Sequence, residues 1–225
     1  MIRKDILAFL IAGDEERFKA QALEWKRYLI REAWIKPSQI AIYYKPEAPV
    51  GGLSGVLEQA EAFFFSPPAA DILLLYTGHG LVGSFSPITH ESPISYRKLA
   101  KLIPRKSKTI FINDSCYSGS CIPIFWEEGI LPEKGLVLTS ADSTELSYGN
   151  PFHRNILQAF RQREPYKERE ITFFEEKCEI ITGINYQINP FSIRQHPQRC
   201  GLDLDHLLFP LYHGHPPLQH SLLPR

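Results

Sequence analysis

Four apolar runs, each closing on a glycine or a polar turn and separated by stretches of helical period, restrict this chain to one class of architecture. Ile6 to Ile11 runs into Gly13, and Ala70-Asp71-Ile72-Leu73-Leu74-Leu75-Tyr76 runs into Thr77-Gly78-His79-Gly80. Thr109 to Asn113 leads into Asp114-Ser115-Cys116-Tyr117-Ser118-Gly119, and Gly135 to Thr139 is the fourth run. A strand apolar at consecutive positions is covered on both faces, the situation of a parallel sheet whose crossovers lay helices over each side. The intervening segments supply those helices. Phe18, Ala22, Trp25, Leu29 and Ala33 recur at helical intervals, Leu53 to Phe64 is stopped by Pro67-Pro68, and Ser95 caps a helix through Ile103. Ile40 to Tyr44 adds a short strand, while Phe152 to Arg163 and Ile171 to Ile181 carry helical periodicity. Alternation of this kind predicts an α/β fold: a three-layer α/β/α sandwich around a mostly parallel central sheet.

Composition narrows the function. The 225 residues are 44% hydrophobic, enough for a sizeable core, and residues 1–212 read as one domain with 213–225 as a flexible tail. The apolar run from Leu207 to Leu211 offers an edge strand. Lys+Arg and Asp+Glu are both 25, so no overall positive field exists to hold a nucleic-acid backbone. Cys116, Cys121, Cys178 and Cys200 are too sparse for a disulfide scaffold and lack zinc-ligand spacing. The apolar stretch at the N-terminus follows Asp5 and runs into Asp14-Glu15-Glu16, a buried strand rather than a signal peptide. No run approaches the roughly 18 residues of a membrane span. These features together predict a soluble, cytoplasmic protein.

In open α/β sheets, chemistry gathers beyond the carboxyl ends of the strands. His79 and Cys116 lie in two such turns, and a crossover through the Ser95 helix brings an imidazole and a thiol to one rim. A thiol nucleophile needs a base within reach and donors aimed at the oxygen that becomes negative, for which the Gly80 and Cys116 N–H groups are candidates. Glycine beside His79 also permits close approach of a substrate backbone. Taken singly, His79 reads as a structural histidine and Cys116 as a small buried hydrophobe. Their pairing at successive strand ends favours a nucleophile and its base.

The two turns resemble a known pair. Tyr76-Thr77-Gly78-His79-Gly80 is similar to the Y-S-G-H-G motif of the caspase and metacaspase superfamily. Asp114-Ser115-Cys116-Tyr117-Ser118-Gly119 resembles the metacaspase motif D-S-C-H-S-G, with Tyr117 where histidine is usual. Leu138-Thr139-Ser140-Ala141-Asp142 through Tyr148 is similar to the segment opening the small-subunit region. The resemblance implies a caspase-like domain, residues 1–130 forming the large-subunit-like region and 131–212 the small. It further implies a cysteine endopeptidase with catalytic His79 and Cys116, a thioester acyl-enzyme, and a protein or peptide substrate. No third member of a triad stands out, and the family setting is regulated cell death or bacterial defence. Two rivals stay open: a catalytically silent adaptor or decoy of the same fold, and a separase- or gingipain-like peptidase of the same clan. Thiol hydrolysis on an unrelated α/β fold is a third.

The resemblance also bears on specificity. The position two before the caspase nucleophile belongs to the substrate pocket, and here it is Asp114; the caspase S-W-R motif aligns with Ser147-Tyr148-Gly149, which lacks the arginine. The caspase arginine after the first strand aligns with the acidic run at Asp14. A substrate aspartate facing Asp114 would be repelled, so cleavage after Arg or Lys is implied, with Asp114 the main anion and Asp14 a second. Asp142 and Glu145 are candidates to line the groove or to bind the calcium that some metacaspases require, although no EF-hand-like alternation of ligands surrounds them. No other cofactor is implied. Lys134 is the basic residue available for self-processing, and Trp126 reads as core packing, with a wall of the groove as its alternative.

Overall fold

The central sheet has six strands in the order β2-β1-β3-β7-β8-β9, in a computed structural model that describes residues 6–44, 52–65, 71–88, 93–131, 133–147, 151–161 and 198–201. The strands are β1 (Ile6–Ala12), β2 (Ile40–Tyr43), β3 (Asp71–Thr77), β7 (Thr109–Asp114), β8 (Gly135–Thr139) and β9 (Gln198–Gly201). The first five are parallel, and β9 joins β8 antiparallel with Val137 opposite Cys200. Helices α1 (Glu16–Arg31), α2 (Gly52–Phe65), α3 (Tyr96–Leu102), α4 (Cys121–Glu127) and α5 (Pro151–Arg161) surround it.

Strand alternation sorts the core into two layers. Ala8, Leu10, Leu73, Leu75, Ile110, Ile112, Leu136 and Leu138 face the α1 and α5 side, packed with Trp25, Leu29, Ile156 and Phe160. Phe9, Ile11, Leu74, Phe111 and Val137 point the other way, onto Val56 and Phe64 of α2, Leu99 of α3 and Phe125 of α4. This is the sandwich that the apolar runs predict. Phe111 sits at its centre, 1% exposed and stacked on Phe125 at 5.1 Å between ring centroids. Phe111→Ala is expected to cost about 3–5 kcal/mol in urea unfolding, because the cavity has rigid strands on either side. A loss below about 1 kcal/mol would mean that this layer collapses freely onto the gap.

Three features depart from the sequence reading. Residues 79–95 hold a small antiparallel sheet, β4 (His79–Leu81), β5 (Ser84–Ser86) and β6 (Ile94–Ser95), where a plain loop is expected. The edge strand comes from Gln198–Gly201, while Leu207 to Leu211, Ile171 to Ile181 and the tail fall outside the described residues. Trp126 is 53% exposed rather than in the core, because the buried stripe of α4 runs through Cys121 and Phe125, four residues apart, and Trp126 lies about 100° round the helix from it.

Candidate active site

Parallel pairing aligns the strand ends: Ala12 stands opposite Thr77, and Thr77 opposite Asp114. The turns that follow are stitched together, Gly13 N–H donating to the Thr77 carbonyl at 2.8 Å and Gly78 N–H to the Asp114 carbonyl at 3.2 Å. His79 and Cys116 are thereby brought to one small pocket, lined also by Arg17, Phe18, Gln21, Gly78, Asp114, Ser115 and Ser147. Gly80 packs so tightly on the cysteine turn that a Cβ there would lie 2.1 Å from the Cys116 carbonyl oxygen.

The cysteine turn is held by its own polar residues. Asn113, fully buried, donates from Nδ2 to the Tyr96 hydroxyl at 3.0 Å and accepts at Oδ1 from Ser115 Oγ at 2.8 Å. Ser140 Oγ donates to the Ser115 carbonyl at 3.2 Å, and Gly119 N–H to the Ala141 carbonyl at 2.9 Å. Tyr117 takes the left-handed backbone conformation (φ 56°) and spends its N–H on the Glu145 carbonyl at 2.7 Å. That amide is therefore committed to the Glu145 carbonyl. The thiol of Cys116, half-buried, lies 3.8 Å from the Ser147 carbonyl, which accepts from it.

Gly80 N–H is left unpaired by the β4–β5 ladder. Val82-Gly83 closes the β4–β5 hairpin, so Leu81 and Ser84 flank the turn as a bonded pair, and Gly80 with Phe85 forms the non-bonded pair that follows. The Gly80 amide is thus directed away from β5.

His79 is fixed by three contacts. Its carbonyl accepts from the Tyr76 hydroxyl at 2.6 Å, its ring meets the Phe18 ring edge-on at 5.3 Å, and its Nε2 lies 2.6 Å from Glu15 Oε1. Asp114 has a buried side chain, with Ser147 Oγ donating to Oδ1 at 3.3 Å. Burial pushes its carboxyl up to about 7, against the pull of the Ser140 and Ser147 hydroxyls and of Arg17.

No protein-family model and no curated protein sequence matches the chain. Among solved structures, caspase-1 from Spodoptera frugiperda aligns with a TM-score of 0.62 at 13% identity, over 88% of this chain and 87% of that one. The chain has the caspase fold. The Arg-specific cysteine proteinase gingipain R aligns with a TM-score of 0.52 at 11% identity, over 79% of this chain but 42% of its own. At such identities the caspase fold is what is shared, since layer order outlasts side-chain identity.

Within this caspase fold, Ser147 joins Asp114 at the pocket, whereas Asp14 and Asp142 are absent from its lining and Tyr148 lies outside the described residues. The cationic residue after β1 that lines the pocket is Arg17, immediately after the acidic run Asp14-Glu15-Glu16 that the motif alignment placed there. Asp142 Oδ1 accepts from Thr144 N–H at 2.6 Å and from its hydroxyl at 2.8 Å. Among the described residues no three His, Cys, Asp or Glu side chains converge. Lys134 is held through both backbone groups, its N–H donating to the Ile130 carbonyl at 3.1 Å and its carbonyl accepting from Thr109 N–H at 2.9 Å. No helix among the described residues is long and apolar enough to cross a membrane.

Proposed function

We propose that this protein is a cysteine endopeptidase that cleaves a partner protein after Arg or Lys, with Cys116 as nucleophile and His79 as acid and base. The single observation that carries the reading is the meeting of the two side chains at one pocket, with Gly80 seated on the Cys116 carbonyl. His79 takes the thiol proton, the Cys116 sulfur attacks the scissile carbonyl carbon, and the carbonyl oxygen becomes negative between the Gly80 and Cys116 N–H groups. Collapse breaks the C–N bond as His79 returns the proton to the leaving amine, leaving a thioester. Water, deprotonated by His79, then adds to the thioester, and the thiol is regenerated with release of the acid.

Asp114 supports the basic preference. Glu15 Oε2 holds the Arg17 Nε at 2.7 Å and so offsets that cation, which leaves the buried Asp114 carboxyl as the group a guanidinium or ammonium would satisfy. The family resemblance adds the setting, regulated cell death or bacterial defence. An acyloxymethylketone carrying arginine at P1 is expected to alkylate Cys116, mapped by peptide mass spectrometry, and to leave Cys116→Ala unlabelled. Wild-type protein that resists the probe and turns over no fluorogenic peptide would instead establish the silent-adaptor reading.

A further inference from the structure

Glu15 occupies the position before α1, where a side-chain oxygen ordinarily accepts from the first free N–H groups of the helix. It makes no such bond; only its backbone carbonyl serves the helix, accepting from Phe18 and Lys19 N–H at 3.0 and 3.3 Å. The carboxylate turns away instead and divides its oxygens, Oε1 to His79 Nε2 at 2.6 Å and Oε2 to Arg17 Nε at 2.7 Å. Arg17 is held in turn by the Phe18 ring, over which its guanidinium lies at 4.5 Å, and the same ring meets His79 edge-on. Four side chains thus form a closed circuit, and every member except Glu15 lines the pocket.

An ionised carboxylate can only accept, so Nε2 of a neutral His79 ring must carry the proton and Nδ1 the lone pair. We infer that Glu15 is a positioning residue of the catalytic site, fixing the tautomer and orientation of His79 through Nε2, with Arg17 clamping its second oxygen. The inference rests on the peptidase reading only for its kinetic consequence. A base presented in the wrong tautomer cannot take the Cys116 proton, whatever its distance; loss of a buried carboxylate in this role costs about 10⁴-fold in turnover elsewhere, and the half-exposed Glu15 should cost less.

Two measurements test it. Histidine-¹⁵N-labelled Cys116→Ala protein, at a pH where its rings are neutral, is expected to show the Nε2-protonated form at His79, identified by its absence from His79→Gln. Adding Glu15→Gln is expected to give a mixture or the opposite tautomer. In the protein with Cys116 intact, Glu15→Gln and Glu15→Ala should lower kcat on a P1-arginine peptide by about 10²–10³ with KM changed less than about twofold, and Glu15→Asp should recover at least tenfold. The Nδ1-protonated form in protein carrying Glu15, or a kcat left intact by Glu15→Ala, overturns the inference. Were the wild type inert on every peptide, the peptidase reading would fail by itself, and the ring tautomer would still decide the role of Glu15.

Discussion

Gly80→Ala is expected to lower kcat/KM by about 10²–10³ and to cost about 1–3 kcal/mol of stability, although it adds a single methyl group. The reason is what the methyl meets. It would lie 2.1 Å from the Cys116 carbonyl oxygen, 2.6 Å from Ser115 Oγ and 2.9 Å from Ser115 Cβ. The nearest of these is backbone, and that backbone is anchored by the Ser115–Asn113–Tyr96 hydrogen bonds, so no side chain can swing aside. The histidine and cysteine turns must part instead, and a displacement of about 1 Å between reacting groups is worth about two orders of magnitude in rate. Gly83→Ala is the control. Gly83 has φ +73° with its nearest neighbour at 3.9 Å, so alanine there strains the backbone by about 1–2 kcal/mol but leaves the two turns in place. Steady-state kinetics and thermal melts on both variants separate the effects, and near-wild-type turnover by Gly80→Ala would show that Gly80 does not set the spacing of the site.

The second large effect concerns Asp114. On the proposed specificity a substrate cation would bind its ionised form, and burial holds the carboxyl near 7, above the ordinary value of 3.8. The sign follows: below about 7 the group is mostly protonated and discriminates poorly, and ionisation restores the preference as pH rises. The ratio of kcat/KM for P1-arginine over P1-norleucine peptides is therefore expected to climb about tenfold per pH unit up to about 7 and then level off. Both substrates use His79 and Cys116 alike, so the contributions of those two groups cancel in that ratio. Asp114→Asn should flatten the profile and lower the arginine preference by about a hundredfold, the cost of leaving a desolvated cation unpaired. Stability moves the opposite way. A carboxyl with a raised folded value stabilises the fold fully below 3.8 and loses that contribution as pH climbs to about 7, so Asp114→Asn should gain stability over wild type at pH 8 but not at pH 4. A preference for P1-aspartate that grows in Asp114→Asn would reassign the pocket to Arg17.

The apolar strands are legible from the sequence because burial on both faces leaves a run that no amphipathic element imitates, and their ends mark the turns of His79 and Cys116. Gln198–Gly201, with the sequence Gln-Arg-Cys-Gly, shows no such pattern, because an edge strand is held by main-chain pairing and its side chains need not be apolar. The strands from β4 to β6 have two or three residues each, too short for a period to register. Glu15 and Arg17 are hidden for a different reason. Their approach to His79 depends on β1 lying beside β3 in a register that puts Ala12 opposite Thr77, and pairing of distant strands is not a local property. Once β1 and β3 are taken as neighbours, residues just past Gly13 fall beside those just past Thr77, and an acidic side chain there becomes a candidate partner for the imidazole.

β9 carries a consequence for biosynthesis. Among the described residues the outer edge of β8 finds its partner only in Gln198–Gly201, late in the chain, and until those residues have left the ribosome the Leu136–Leu138 edge presents a template to any passing strand. Nascent chains stalled short of Gln198 should therefore be the species that recruits holdase chaperones or clumps in their absence.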